Sequence, residues 1–464
     1  MSDLEKKSKS ITFTDYDVLG FDMDFTLARY KLVPFYKMVY RGVCKYLVEE
    51  RNYEPSIFHE LDQDKDLIYK GLLVDFEKGN VLKLDKQGSI LRATHGTRKL
   101  TTAQLEEAYG REKKFSHFQT FMQGMKCLAG RWRFFENYFD IPALVAFARI
   151  IDSINDKKTV VTEDKKTFLH IWTDVYDALG DMYTPQQFKA NQGNFFPNMK
   201  ADVGAYIDLV SPAIKQWLTA LRQDNRKIFL LTSSFPDFAT HIMEYSFGPD
   251  WRSYFDLVVF GGRKPRFFTE VEPFMEVENL EIGQETKYLQ EGGEYCHGNH
   301  LQLMTFFKKI TGKTYPKVVY FGDNLWADAW PSKTYGQWDT VLVLEEMDAE
   351  GYAVSDGTVT EQEGAFTKGF KHSSLVTAQE IQLMVSDFWG SVFIDNLKDN
   401  QVLEEKQMNT AFGSLISTYA DVCVPSIEYL AGVPIDHAFS IFEREPGNCQ
   451  GFHPGCPQSL AVVS

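Results

Sequence analysis

No apolar run in this chain is long enough to span a bilayer. The nearest, 141–151, is short and broken by Pro142 and Arg149. The N-terminus, Met1-Ser2-Asp3-Leu4-Glu5-Lys6-Lys7, lacks the apolar stretch of a signal peptide. No Asn-x-Ser/Thr acceptor with x other than Pro occurs. Cysteine is scarce: the 464 residues hold 6, with no Cys-x-x-Cys pair. Such a set reads as reduced intracellular thiols, not a disulfide framework. Positive charge is also in deficit, with Lys+Arg 49 against Asp+Glu 64 and a net charge of -15. That balance disfavours general docking to nucleic acid or to an anionic membrane. It leaves room for a small polyanion in a cleft where a cation and a few basic residues reverse the local field. A soluble cytoplasmic protein with neither nucleic acid nor membrane as partner is the expectation.

What the chain does have is a set of short buried-strand patterns that end in polar residues. The first is Val18-Leu19-Gly20-Phe21-Asp22-Met23-Asp24-Phe25-Thr26. Alternation along an extended segment puts Asp22 and Asp24 on one side of the backbone. Further apolar runs lie at 227–232, 255–260, 317–323 and 340–344. Helical patterns at 212–221, 237–247 and 299–310 separate them, with Asn299 placed to cap the last. Strands alternating with helices predict a parallel α/β sheet. Between the first strand and the next lie about 200 residues, the scale of a domain. They carry helical patterns at 36–50, 102–109, 142–154 and 166–182 and a hairpin pattern at 80–92. We read a large, mostly helical cap inserted into an α/β core. The expected bounds are 1–45 for the first part of the core, 46–211 for the cap, 212–440 for the rest of the core and 441–464 for an irregular tail. The polar stretch 351–374 reads as a surface loop.

Four strand ends carry the chemistry. Asp22 and Asp24 can divide a phosphoryl transfer, one attacking phosphorus and the other moving protons. At the second end, Thr232 and Ser233 offer hydroxyls and turn amides to a phosphoryl oxygen. Past the third comes Arg263-Lys264-Pro265, whose lysine can neutralise a transferring phosphoryl group. The fourth, Phe321-Gly322-Asp323-Asn324-Leu325-Trp326-Ala327-Asp328, supplies two more carboxylates. Mg²⁺ favours such oxygen ligands. Asp22, Asp24 (through its backbone carbonyl), Asp323 and Asp328 form the candidate metal set. Each segment alone also reads as a capped turn or a solvated loop, and for all but the first that plainer reading is favoured in isolation. The four in succession are far more specific.

In that order they resemble the haloacid dehalogenase-like phosphatase superfamily. The segments Gly20-Phe21-Asp22-Met23-Asp24-Phe25-Thr26-Leu27, His95-Gly96-Thr97, Arg263-Lys264-Pro265 with Phe267-Phe268, and Tyr320-Phe321-Gly322-Asp323 with Asp328 resemble the cytosolic purine (IMP–GMP) 5′-nucleotidase family, and within it the 5′-nucleotidase domain-containing proteins. The resemblance implies Asp22 as nucleophile, Asp24 as acid/base, Thr232 and Lys264 on the phosphate, and Asp323 with Asp328 on Mg²⁺. It also implies a small phosphorylated substrate such as a nucleoside monophosphate, and a possible homo-oligomer. His95, Thr97 and Arg98 are the candidate cap contacts to substrate. Here the chain departs from the family: Thr97 and Arg98 stand where the purine enzymes carry an aromatic and an amide. Tyr176 and Gly180 stand where those enzymes carry an arginine and an aspartate. The catalytic set is intact while the base-recognition set is not evident.

The aromatic stretch 131–139 is read as cap core. Cys296, His297 and His300 are read as a helix start, and Cys449, His453 and Cys456 are not taken as zinc ligands. The expected function is a Mg²⁺-dependent phosphomonoesterase of 5′-nucleotidase type. A phosphatase for a non-nucleotide metabolite and a catalytically silent interaction protein are the alternatives.

Overall fold

The apolar runs assemble into one nine-stranded sheet. The computed structural model describes residues 9–123, 131–156, 168–353, 375–395, 408–443 and 449–460. From one edge the strands are Glu281–Thr286, Phe274–Glu278, Gly293–His297, Leu257–Phe260, Lys227–Leu231, Val18–Phe21, Val318–Gly322, Asp339–Val343 and Val422–Val424. All are parallel from Gly293–His297 onward. The hairpin of Phe274–Glu278 and Glu281–Thr286 adds an antiparallel edge. Val18–Phe21 lies at the centre and is wholly buried, as a parallel strand covered on both faces requires. Its neighbours fix the register: Phe21 pairs with Leu230 on one side and Phe321 on the other. The residues after each strand therefore emerge at one level. The helix His300–Thr311 is capped by Asn299, as the sequence predicts, with its side chain accepting from Gln302 N–H.

Between the first two core strands lies the cap. Its helices Leu32–Arg51, Thr102–Tyr109, Ile141–Asn155 and Phe168–Met182 answer the four helical patterns. It also holds a five-stranded antiparallel sheet, ordered Arg98–Lys99, Ile90–His95, Asn80–Leu84, Leu72–Asp75 and Trp132–Phe135. The hairpin pattern supplied the middle of this sheet. Of the flanking strands, Leu72–Asp75 and Trp132–Phe135 are four residues each and Arg98–Lys99 two, too short for alternation to betray them. Trp132, Phe135 and Tyr138 are buried, so the stretch 131–139 is indeed core. The helix Leu32–Arg51 runs unbroken through residue 45, and Gly42 lies against Met182 of the cap helix Phe168–Met182.

One expectation needs correction. Cys449 and Cys456 are joined as a disulfide, with Cα atoms 5.3 Å apart. Two cysteines seven residues apart can meet in a loop that the chain's cysteine scarcity says nothing about. Cys44, Cys296 and Cys423 are free and buried, while Cys127 lies outside the described residues. The closed loop packs back on the core: Cys423 N–H donates to the Gly451 carbonyl, and Cys456–Pro457 pairs with Tyr352–Ala353. His453 Nε2 lies 2.8 Å from the Ser440 carbonyl oxygen. Of the expected surface loop, 354–374 lies outside the described residues, as do 444–448 and 461–464 of the tail. Among the described residues no helix is long and apolar enough to cross a membrane.

Candidate active site

Asp22 leaves the central strand first. Its backbone N–H donates to Phe321 O at 2.8 Å, so the chain is still held by the sheet where the carboxylate begins. Asp22 Oδ1 accepts from Met23 N–H at 2.8 Å and meets Lys264 Nζ at 2.9 Å. Neither Asp24 nor Thr26 caps the next helix, whose N-cap is Lys31. The capped-turn reading of this motif therefore fails. Asp24 has its own partners. Tyr30 donates to its Oδ1 at 2.6 Å and Ser234 to its Oδ2 at 2.7 Å.

The second and third strand ends fold towards these aspartates. Thr232 is fully buried and its hydroxyl oxygen accepts from Ser234 N–H at 3.0 Å. Ser233 is exposed, and its Oγ accepts from Lys264 N–H at 3.3 Å. The Gly261-Gly262 turn closes on the same segment, with Gly262 N–H donating to Thr232 O. Lys264 then points inward. Its Nζ contacts Asp22 at 2.9 Å, Asp328 Oδ1 at 2.5 Å and the Tyr320 hydroxyl at 2.9 Å.

At the fourth end, Asp323 follows the strand directly. Asp328 returns from the short helical turn Leu325–Ala329, where Asn324 N–H donates to its Oδ2 at 3.2 Å. Gly322 makes this return possible, since a Cβ there would fall 2.4 Å from Asp328 Cγ. Carboxylate oxygens of Asp22, Asp323 and Asp328 lie within 4.8 Å of one another, all buried. Among the described residues this is the only such group of three. Three buried carboxylates with oxygen-only donors fit a hard divalent cation, and without one they repel. Burial raises the pKa of Asp323 well above the carboxylate range; Lys70 opposes the rise while Asp328 and Asp22 reinforce it. Burial likewise raises Asp22 against the pull of Lys264. Burial opposes charge on Lys264, but Asp22 and Asp328 hold it well above the usual lysine value.

The structure thus brings together Asp22, Asp24, Thr232, Lys264, Asp323 and Asp328. The cap candidates are placed otherwise. His95 Nδ1 lies 2.8 Å from Asn80 Oδ1. The Thr97 hydroxyl donates to Asp152 at 2.5 Å, and Arg98 pairs with Asp156. These partners all belong to the cap. Sequence reasoning missed Tyr30, Ser234 and Tyr320, and two cap residues, Glu136 and Lys70. Of these only Ser234 had a visible signal, the hydroxyl run Thr232-Ser233-Ser234.

A parallel sheet whose central strand ends in paired aspartates, beside a buried lysine and a carboxylate cluster, defines a class, the phosphoric monoester hydrolases. The chain belongs to the 5′-nucleotidase family, whose model matches residues 7–386. It is 36% identical over 452 residues to 5′-nucleotidase domain-containing protein 1 of Homo sapiens, with 96% of each chain covered. To the protein of that name from Bos taurus it is 34% identical over 448 residues, again with 96% of each covered. Among solved structures, a β-phosphoglucomutase from Pyrococcus sp. strain ST 04 matches at 13% identity and a TM-score of 0.30, covering 76% of this chain and 98% of that one. That likeness is too loose to bear on function.

Proposed function

We propose that this protein hydrolyses a nucleoside 5′-monophosphate through an aspartyl-phosphate on Asp22, with Mg²⁺ as cofactor. One observation carries the reading: two carboxylates two residues apart sit in different environments. Asp22 faces Lys264 at 2.9 Å and the Asp323–Asp328 pair. Asp24 accepts instead from neutral hydroxyls, Tyr30 and Ser234, and feels Lys264 less strongly than it feels them. Unlike environments are how one fold assigns unlike roles to like groups. In-line attack by Asp22 forms a bond to phosphorus as the ester P–O bond breaks. Asp24 gives its proton to the departing oxygen. It then takes a proton from water, whose oxygen attacks phosphorus, freeing phosphate and restoring Asp22. Lys264 offsets charge on the phosphoryl oxygens and Thr232 helps orient them. A divalent cation held by Asp22, Asp323 and Asp328 would add charge stabilisation to the same oxygens.

The engagement of Thr97 and Arg98 by Asp152 and Asp156 favours a second reading. With those side chains occupied inside the cap, a non-nucleotide phosphate ester is the alternative substrate. The experiment is phosphate release from nucleoside monophosphates and sugar phosphates, with Mg²⁺ and with EDTA. Release confined to nucleotides supports the first reading, and release confined to other esters the second. A folded protein that cleaves none of them sinks both.

The role of Asp24 makes a pH prediction. Burial raises its pKa, while the Tyr30 and Ser234 hydroxyls pull it down. The acid must carry its proton, so kcat falls as pH rises through this pKa. Tyr30→Phe removes a lowering partner and keeps the ring. The alkaline limb of the kcat profile then moves to higher pH. A limb that stays fixed, or moves to lower pH, assigns the acid elsewhere.

A further inference from the structure

Two buried side chains of the cap reach the loops that follow the catalytic strands. Glu136 lies just past the cap strand Trp132–Phe135 and is 5% exposed. Its carboxylate accepts Leu325 N–H at 2.9 Å and Trp326 N–H at 3.1 Å. Those amides open the turn that runs from Asp323 to Asp328. A carboxylate spanning two amides fixes that turn in position as well as closing its hydrogen bonds. Burial nonetheless pushes the Glu136 pKa up to about 7, against the Leu325 amide, Lys70 and the Trp326 amide.

Lys70 stands in the turn before the cap strand Leu72–Asp75 and is 3% exposed. Its Nζ lies 3.6 Å from the centroid of the Tyr138 ring and 3.7 Å from Glu346 Oε1, with no hydrogen-bond partner. Tyr138 donates to the same Glu346 oxygen at 2.7 Å, and Glu346 Oε2 is unpartnered. A buried ammonium without hydrogen bonds is costly to fold around.

We propose that Glu136 is a positioning residue through which the cap sets the affinity of the Asp22–Asp323–Asp328 cluster for its divalent cation. Glu136 fixes the turn that presents two of the three carboxylates. The inference rests on the reading that the cluster holds Mg²⁺. It predicts that loss of the Glu136 carboxylate weakens the cation, while loss of Lys70, which meets Tyr138 and Glu346 on the same seam, does not. Ordinary adhesion between cap and core would shift both the same way.

The test is calorimetric titration of Mg²⁺ into the full chain, for wild type, Glu136→Gln and Lys70→Met, with folding checked by circular dichroism. Glu136→Gln is expected to raise the Mg²⁺ Kd about 10-fold or more, as loss of a ligand-supporting group commonly does. Lys70→Met is expected not to raise it. A Kd for Glu136→Gln within about twofold of wild type, well short of that loss, overturns the proposal, and so does weakening by both variants. If Glu136→Gln fails to fold, Glu136→Asp, whose shorter side chain draws the carboxylate back from the two amides, decides, and a Kd within about twofold of wild type overturns it. A wild type that takes up no Mg²⁺ removes the metal assignment and this inference with it. Wild-type binding with unresponsive variants removes the inference alone.

Discussion

Replacing Asp22 by asparagine lowers phosphate release by about 10⁴-fold or more while the protein stays folded, the scale on which loss of a nucleophile is felt. The substitution preserves shape. An amide oxygen can still accept from Met23 N–H, as Oδ1 does at 2.8 Å. Nucleophilicity and one charge are lost. That charge belongs to a crowded set, since Asp22, Asp323 and Asp328 place oxygens within 4.8 Å of one another. Asp22→Asn therefore relieves repulsion, and in EDTA its melting temperature is expected to equal or exceed that of wild type. Stability given up for function is common where reacting groups are held together. A variant that loses activity and melts well below wild type would instead place Asp22 among residues needed to fold.

Lys264→Met has a different signature. Lys264 is the cation among Asp22, Asp328 and Tyr320, with its side chain 2% exposed. Removing one partner of a buried charged group leaves the others uncompensated, at about 3–5 kcal/mol. Urea denaturation in EDTA is expected to show a loss of that size. Added Mg²⁺ is expected to return part of it, because a ligand that binds only the folded state stabilises it. Activity falls about 10²–10³-fold even with saturating Mg²⁺, as loss of one electrostatic contact to a transition state does. An unchanged denaturation midpoint would mean that Asp22 and Asp328 do not both carry charge in the folded protein.

Most of the candidate site was legible because chemistry and topology coincide in the sequence. Apolar runs announced the strands, and Asp22, Thr232 and Asp323 stand directly at strand ends, with Lys264 a short turn past another. Register did the rest, since pairing of Phe21 with both Leu230 and Phe321 forces Asp22, Thr232 and Asp323 to one level. Tyr320 was hidden because it sits inside such a run and reads as core. Tyr30 was hidden because nothing local shows that its hydroxyl reaches Asp24. Glu136 is the clearest case. Its neighbours Trp132, Phe135 and Tyr138 are core, and a glutamate among them carries no mark of the turn 189 residues away that it holds. Sequence pattern reports burial well and long-range partnership poorly. The disulfide between Cys449 and Cys456 belongs with these, because connectivity is a property of the folded loop.

The central claim is that phosphate passes through Asp22. The direct measurement is rapid-quench mass spectrometry of the protein mixed with Mg²⁺ and the best-cleaved ester from the panel. One phosphoryl group on the peptide containing Asp22, appearing before steady-state release and absent from Asp22→Asn, is the result expected. Phosphate release at full rate with that peptide unmodified at every time sampled, or undiminished release by Asp22→Asn, would contradict the account.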